Sequence, residues 1–263
     1  MAALLEVKDL CIEFFDKELP DRVVKDFDLV LHLGDRVGIV GESGSGKSMS
    51  ALAIAGLLNR HDMEKRGEII YDGKNLLTLK RHELRQYQGK DIAMIFQEPM
   101  TSLNPVKKIG WQVEESLRIH TKLSKEECKK KAIEILTEVE LANPEAVYNM
   151  YPHELSGGMR QRVMIAAAMI CEPKILIADE PTTALDVTTQ EQIIELMKRL
   201  NEKKGTAILF ISHDLSLIET LCNRVIVMKD GDIVESGTTK EIFDNPKEQY
   251  TKDLLAAIPV CDI

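Results

Sequence analysis

The chain has 263 residues, 44% of them hydrophobic and 29% charged, the balance of an ordinary folded protein with a substantial core. Its formal net charge of −9 opposes nonspecific binding to nucleic acid or to anionic lipid. No stretch approaches the roughly 20 consecutive apolar residues of a membrane span, and the segment Met1–Glu6 lacks the basic and apolar regions of a secretory leader.

In chain order, alternation at Leu5 and Val7, and again at Phe27, Leu29, Leu31 and Leu33, predicts β-structure. Gly34-Asp35 predicts a turn into a strand over Arg36–Val40. Directly after it comes Gly41-Glu42-Ser43-Gly44-Ser45-Gly46-Lys47-Ser48, which fits G-x-x-x-x-G-K-[ST], followed by a small-residue helical pattern from Met49 to Leu58. In this strand–loop–helix setting successive backbone N–H groups turn inward around an anion, and a helix beginning near Lys47 adds its positive end. Lys47 can reach the β/γ-phosphates of a nucleotide and the Ser48 hydroxyl can ligate Mg²⁺. The expected nucleotide-binding set is Gly41, Ser43, Gly44, Ser45, Gly46, Lys47, Ser48 and Met49. A chance glycine-rich turn before a core helix would not need the full spacing together with the Lys-Ser pair.

Gly67–Gly73 predicts a short strand closed by an Asp-Gly turn, and Asp91–Phe96 a buried one. From Asn104 to Met150 the pattern is helical, with a capping box at Ser124–Glu127 and apolar Ala132, Ile135, Leu136 and Val139 at helical spacing. Val163–Cys171 predicts a buried helix. An α/β rhythm then resumes: strand Ile175–Ala178, helix Thr189–Lys203, strand Ala207–Ser212, helix Leu215–Leu221 and strand Arg224–Lys229. Such alternation predicts parallel strands. A second capping box lies at Thr238–Glu241. Five scattered cysteines (Cys11, Cys128, Cys171, Cys222, Cys261), with no C-x-x-C pair, predict free thiols rather than a metal site.

Three further motifs carry chemistry. Lys174–Glu180 is an apolar strand ending in two carboxylates, with Asp179 suited to hold Mg²⁺ and Glu180 to polarise a water for in-line attack. At the end of the next strand His213 can meet a γ-phosphate, a role that neutralises developing charge. Leu155-Ser156-Gly157-Gly158-Met159, ahead of a helix from Arg160 onward, offers a second anion site without a lysine, through Ser156, Gly157 and Gly158.

Together these residues resemble, over nearly the whole chain, the nucleotide-binding subunit of an ATP-binding cassette (ABC) transporter. The resemblance makes Gly41–Ser48 the Walker A loop and Ile175–Glu180 the Walker B strand, with Asp179 and Glu180 at its end. Gln97 becomes the Q-loop glutamine that touches Mg²⁺ and the attacking water, Leu155–Met159 the signature motif, Ala184-Leu185-Asp186 the D-loop, and His213 the switch histidine. Phe14 falls where an aromatic stacks on adenine, with Phe15 beside it as the alternative. The implied fold is α/β: a P-loop NTPase (RecA-like) core with an N-terminal antiparallel β-subdomain and an inserted α-helical subdomain. Residues 1–100 and 172–240 would form the core and β-subdomain, 101–171 the helical subdomain and 241–263 a short tail.

The resemblance implies an ATPase using ATP and Mg²⁺ at the cytoplasmic face of the cell membrane. Its partners would be a second homologous ATPase subunit, two permease subunits and an extracytoplasmic solute-binding protein, with no nucleic acid. Ser156, Gly157, Gly158 and Asp186 would act in trans on the partner's ATP. Phe96–Pro105, Asp179–Asp186 and the ending Pro246-x-x-x-Tyr250-Thr251-x-x-Leu254-Leu255 resemble importers of peptides and nickel, and Met159 the first of their two ATPase subunits. The absence of a C-terminal cysteine cluster carries over no iron–sulfur site, and the short length leans toward a nickel or metallophore cargo. The loop from Pro99 to Gln112, with Lys107, Lys108 and an exposed Trp111, would face the permeases. Three other functions share part of this pattern: a soluble ABC-type ATPase of translation or DNA repair, a P-loop kinase or GTPase, and an exporter. The single cassette, the acidic charge, the signature motif and the lack of a fused membrane domain oppose them.

Overall fold

The computed structural model describes residues 2–15, 21–97, 102–183 and 185–257. Within the motifs above, Glu98, Pro99, Met100, Thr101, Ala184 and Cys261 lie outside the described residues. Backbone contacts divide the chain into two units, Met1–Leu84 with Ala207–Ile263, and Arg85–Thr206.

The first segment opens with an antiparallel sheet in the order β2-β1-β4-β5. Strand β1 (Leu5–Phe14) pairs with β2 (Asp21–Leu31) and β4 (Met63–Tyr71), and β5 (Lys74–Asn75) returns after the Asp72-Gly73 turn. The inward parity of β1 changes along its length: Leu5 and Val7 are buried, then Leu10 and Ile12. A register shift between Val7 and Leu10, with Asp9 at φ 48°, inserts the extra residue that flips the faces. Strand β4 starts four residues before the expected Gly67. Its charged first half, Met63–Arg66, shows no alternation but is held by pairing to Cys11–Phe14 of β1.

Between β2 and β4, β3 (Arg36–Val40) feeds the Gly41–Ser48 loop, and α1 (Lys47–Ile54) follows. The helix stops four residues short of the expected Leu58, because Gly56 turns left-handed at φ 68° and ends it. The short α2 (Arg81–Leu84) closes the segment.

In the second unit β6 (Ile92–Ile95) pairs in parallel with β7 (Ile175–Asp179), Ile92 opposite Ile175 and Ile95 opposite Ala178. The expected helical stretch is there as α3 (Ile109–Val113), α4 (Glu115–His120), α5 (Lys125–Glu138) and α6 (Pro144–Asn149). Ser124 and Glu127 form the predicted reciprocal cap on α5, whose Ala132, Ile135 and Leu136 are buried. Helix α7 (Gly157–Met169) begins at Gly157 rather than Arg160, because the Ser156 hydroxyl caps it by accepting from the Met159 N–H. Helix α8 (Val187–Lys204) buries Ile193, Ile194, Met197 and Leu200.

The chain then returns to the first unit. Strands β8 (Ala207–Ile211) and β9 (Arg224–Lys229) flank β3, both parallel to it, with α9 (Leu215–Leu221) between them in sequence. Strand β10 (Asp232–Thr238), absent from the sequence expectation, folds back antiparallel on β9 across Asp230-Gly231. The Asp-Gly pair between two strand-like runs is the hairpin signal that could have revealed it. Thr238 caps α10 (Thr239–Asp244) in the predicted box, and α11 (Gln249–Ala256) follows.

One polar cluster braces the helices of the second unit. Glu114, only 8% exposed, accepts from the Tyr148 hydroxyl at 2.5 Å and from Arg118 Nη1 at 3.0 Å. Burial, and then the Glu114 carboxylate beside it, push the Tyr148 phenol up to about 12. The folded chain therefore holds a proton that the unfolded chain releases near pH ~10. Stability from this group is complete below that pH and is lost as pH rises toward 12. Tyr148→Phe should cost about 1–3 kcal/mol at neutral pH, since it strips a donor from a buried carboxylate. It should also flatten the alkaline loss of stability, which denaturant melts at pH 8 and above will measure.

Candidate active site

The phosphate loop belongs to the first unit. Lys47 is 6% exposed, and its Nζ donates to Gly41 O at 2.8 Å, Glu42 O at 2.7 Å and Ser45 Oγ at 3.4 Å. A buried ammonium is thus satisfied by the carbonyls of its own loop, which are bonds that phosphate oxygens can replace. Gly46, the residue before α1, sits at φ 97°, and a Cβ there would lie 2.5 Å from the Val23 carbonyl oxygen. No side chain caps α1 and its first turn carries no acidic residue, so its N-terminal N–H groups suit an anion.

His213 is exposed and lies two residues past Ile211, whose β3 partner Ile39 lies two residues before Gly41. Parallel pairing thus brings His213 and the loop to the same carboxyl ends of adjacent strands, the ordinary ligand position of such sheets. Phe14 ends β1 with the Arg60 guanidinium 5.0 Å from its ring centroid. Phe15 keeps 47% of its surface exposed, the larger free aromatic surface of the two.

The second unit carries the acidic constellation. Asp179 is buried at the end of β7, and Glu180 follows at φ 46°, a left-handed turn that re-aims its side chain as the strand ends. Gln97, two residues past β6, donates from Nε2 to Glu180 Oε2 at 2.8 Å. The Thr183 hydroxyl donates to the same oxygen at 3.1 Å. Parallel pairing of β6 with β7 is what brings these residues together from 83 positions apart.

The segments at Ser156–Gly158 and Asp186 meet within this same unit. Gly157 and Gly158 form the first turn of α7, and a Cβ on Gly158 would lie 2.8 Å from Thr189 Cγ2. Asp186 caps α8, accepting from the Thr189 N–H at 2.9 Å and the Thr189 hydroxyl at 2.8 Å, and these bonds hold its carboxyl below the usual range. Thr183 and Thr189 were missed by sequence reasoning. Asp186-x-x-Thr189 is a legible cap pattern, whereas nothing local marks Thr183.

Each unit offers oxygens of the kind Mg²⁺ takes: the Ser48 hydroxyl in the first, and in the second the Asp179 carboxylate and the Gln97 amide oxygen, the Gln97 nitrogen being engaged by Glu180. Hard oxygen donors few in number fit a cation that completes its shell with phosphates and water. Among the described residues no group of three or more His, Cys, Asp or Glu could hold a metal, and no helix is long and apolar enough to cross a membrane. Cys11, Cys128, Cys171 and Cys222 are free thiols.

Residues 24–183 match a family model described as ABC transporter, a span containing Gly41–Ser48, Gln97, Ser156–Gly158 and Asp179-Glu180. The chain is 51% identical to the oligopeptide transport ATP-binding protein OppD of Bacillus subtilis over 260 residues, 98% of this chain and 73% of that protein. It is 46% identical to the dipeptide transport ATP-binding protein DppD of Escherichia coli, covering 98% and 79%. A solved dimeric ATP-binding cassette in a post-hydrolysis state, bound to ADP and Pi, superposes with TM-score 0.80 at 32% identity, over 89% of this chain and 98% of that one. The cassette cbiO1 of Clostridium perfringens, part of the transporter complex cbiONQ, gives 0.77 at 27%, over 93% and 92%.

The contact between signature and D-loop helices is testable by repacking. Gly158→Ala drives a methyl into Thr189 and should cost about 1–3 kcal/mol in denaturant unfolding. Thr189→Ser in the same chain removes the obstructing Cγ2, keeps the hydroxyl on Asp186, and should recover most of that loss. A double variant no more stable than Gly158→Ala alone would contradict this packing.

Proposed function

Because this chain belongs to the ABC transporter family of ATP-binding proteins, we propose that it is the ATP-hydrolysing subunit of a peptide importer, the first of two paired ATPase subunits. The oligopeptide and dipeptide names of its relatives support peptides as cargo over nickel or a metal chelate. The observation that carries the catalytic reading is the convergence of Gln97 and Thr183 on one oxygen of Glu180. A carboxylate so oriented is preorganised to take a proton from water.

In the reaction ATP and water give ADP and phosphate. Lys47 exchanges its loop carbonyls for the β/γ-phosphate oxygens, and the N–H groups opening α1 receive the anion. Ser48, Gln97 and Asp179 would hold Mg²⁺, which when bound neutralises phosphate charge. Glu180 accepts the proton of the attacking water, Gln97 and Thr183 fix its orientation, and His213 donates to the γ-phosphate. Phe14, or Phe15 beside it, stacks on adenine. Ser156, Gly157, Gly158 and Asp186 act on the nucleotide of a second, homologous subunit, so hydrolysis awaits pairing. The dimeric solved cassette that this chain resembles supports that reading.

The permease subunits would dock on the second unit, at the cytoplasmic face of the membrane. A cleft of about 270 Å³ there is lined by Phe96, Leu103, Gln112, Glu115 and Met164 among others. Beside it Gln112 ties the loop 104–107 through Asn104 N at 2.7 Å and Lys107 O at 2.9 Å. That loop presents Val106, 75% exposed, and Trp111 is 43% exposed between the cations of Lys107 and Arg118.

Glu180→Gln should bind ATP within about twofold of the parent, lose at least about 100-fold in turnover, and accumulate as an ATP-bound dimer on gel filtration. In the assembled importer the same change should abolish uptake of a labelled oligopeptide and leave nickel uptake unaltered. Normal turnover would remove Glu180 from the base role, and loss of nickel uptake alone would reassign the cargo. Reversing Lys107 and Lys108 to Glu, with Val106→Asp, should reduce co-purification with the permeases while ATP binding persists; intact assembly would rule out this docking face.

A further inference from the structure

The ending Pro246-x-x-x-Tyr250-Thr251 has no part in the chemistry above, yet it reaches the phosphate loop. Tyr250, in the first turn of α11, accepts at its hydroxyl oxygen from the Glu42 backbone N–H at 3.1 Å, across 208 positions of sequence. The carbonyl of the same Glu42 takes the Lys47 ammonium at 2.7 Å. Both backbone polar groups of one loop residue are therefore committed, the carbonyl to Lys47 and the N–H to the C-terminal helix.

The tyrosine is itself braced. Lys229 Nζ lies 4.7 Å from its ring centroid, and burial raises the phenol above its ordinary value. Glu235 of β10 accepts from the backbone N–H groups of Lys247 at 2.8 Å and Glu248 at 3.2 Å, anchoring the two residues that lead into α11. The β9–β10 turn also meets the loop directly, Gly231 N–H donating to Ser45 O at 3.2 Å. Hairpin, tail helix and phosphate loop thus share one hydrogen-bonded frame inside the first unit.

We propose that Tyr250 is a positioning residue for the nucleotide: it clamps the first turn of the phosphate loop from the C-terminal helix, and Glu235 holds that helix in register. A loop fixed before binding spends less conformational freedom when phosphate arrives, so the clamp raises affinity. The inference rests on the reading of Gly41–Ser48 as the ATP site.

Tyr250→Phe keeps the ring and removes the acceptor. Titration calorimetry on the full chain, with ATP and Mg²⁺ as the probe, should show Kd raised about three- to tenfold. KM for ATP should rise in parallel with kcat lowered less than about twofold, and the nucleotide-free Tm should move by less than about 2 °C. Glu235→Ala, which touches no loop atom, should give the same Kd shift, and the double variant no more than either alone, because the two residues act in one relay. Unchanged Kd in Tyr250→Phe, fully additive shifts, or a Kd change matched by a large fall in Tm would overturn the clamp. Lys47→Ala is the control on the underlying reading. If it binds ATP normally, the site assignment fails; if it loses ATP while Tyr250→Phe and Glu235→Ala bind as the parent does, only the clamp fails.

Discussion

The buried ammonium of Lys47, satisfied by the carbonyls of its own loop, is the interaction on which the rest of the first unit depends. A chain of net charge −9 repels a polyanion at long range, so attraction for phosphate has to be built locally. In the proposed site it comes from one lysine and from backbone N–H groups at the start of α1, which no side chain caps. Gly46 clears the Val23 carbonyl, the β3–β8–β9 pairing fixes where the loop emerges, and Gly231 and Tyr250 hold it from outside.

The second unit solves a different problem with the same economy. In the proposed reaction its carboxylate, Glu180, has to be fixed in direction while staying available to water. Two neutral donors, the Gln97 amide and the Thr183 hydroxyl, fix Glu180 without neutralising it as an arginine or lysine would. The segments at Gly158 and Asp186, which we propose act on a second subunit's nucleotide, are joined through Thr189, which bonds Asp186 and packs on Gly158. Thr189 of α8 thus packs on the first turn of α7 while it holds the cap of its own helix.

Much of this was legible in the chain. The order of the motifs, the capping boxes at Ser124 and Thr238, and the strands at Arg36–Val40 and Arg224–Lys229 follow from short-range spacing, which constrains local backbone strongly. Errors arose where partners outvote propensity or where a turn was underread. The charged start of β4 is a strand only because β1 pairs with it, and β10 exists because Asp230-Gly231 folds it onto β9. Helix α7 starts three residues early because Ser156 supplies a cap that outweighs two glycines of poor propensity.

Local sequence pattern specifies the chemistry on offer: a phosphate loop with its lysine, a paired carboxylate strand end, a glutamine, a histidine and a second glycine-rich helix start. Those are patterns within a few residues of one another, and backbone geometry reads them directly. Which side chains serve which is set by long-range pairing. Gln97 and Glu180 are 83 positions apart, and Tyr250 and Glu42 are 208 apart. Such bonds are fixed by parallel strand pairing and by a hairpin-anchored helix, and no local periodicity encodes them.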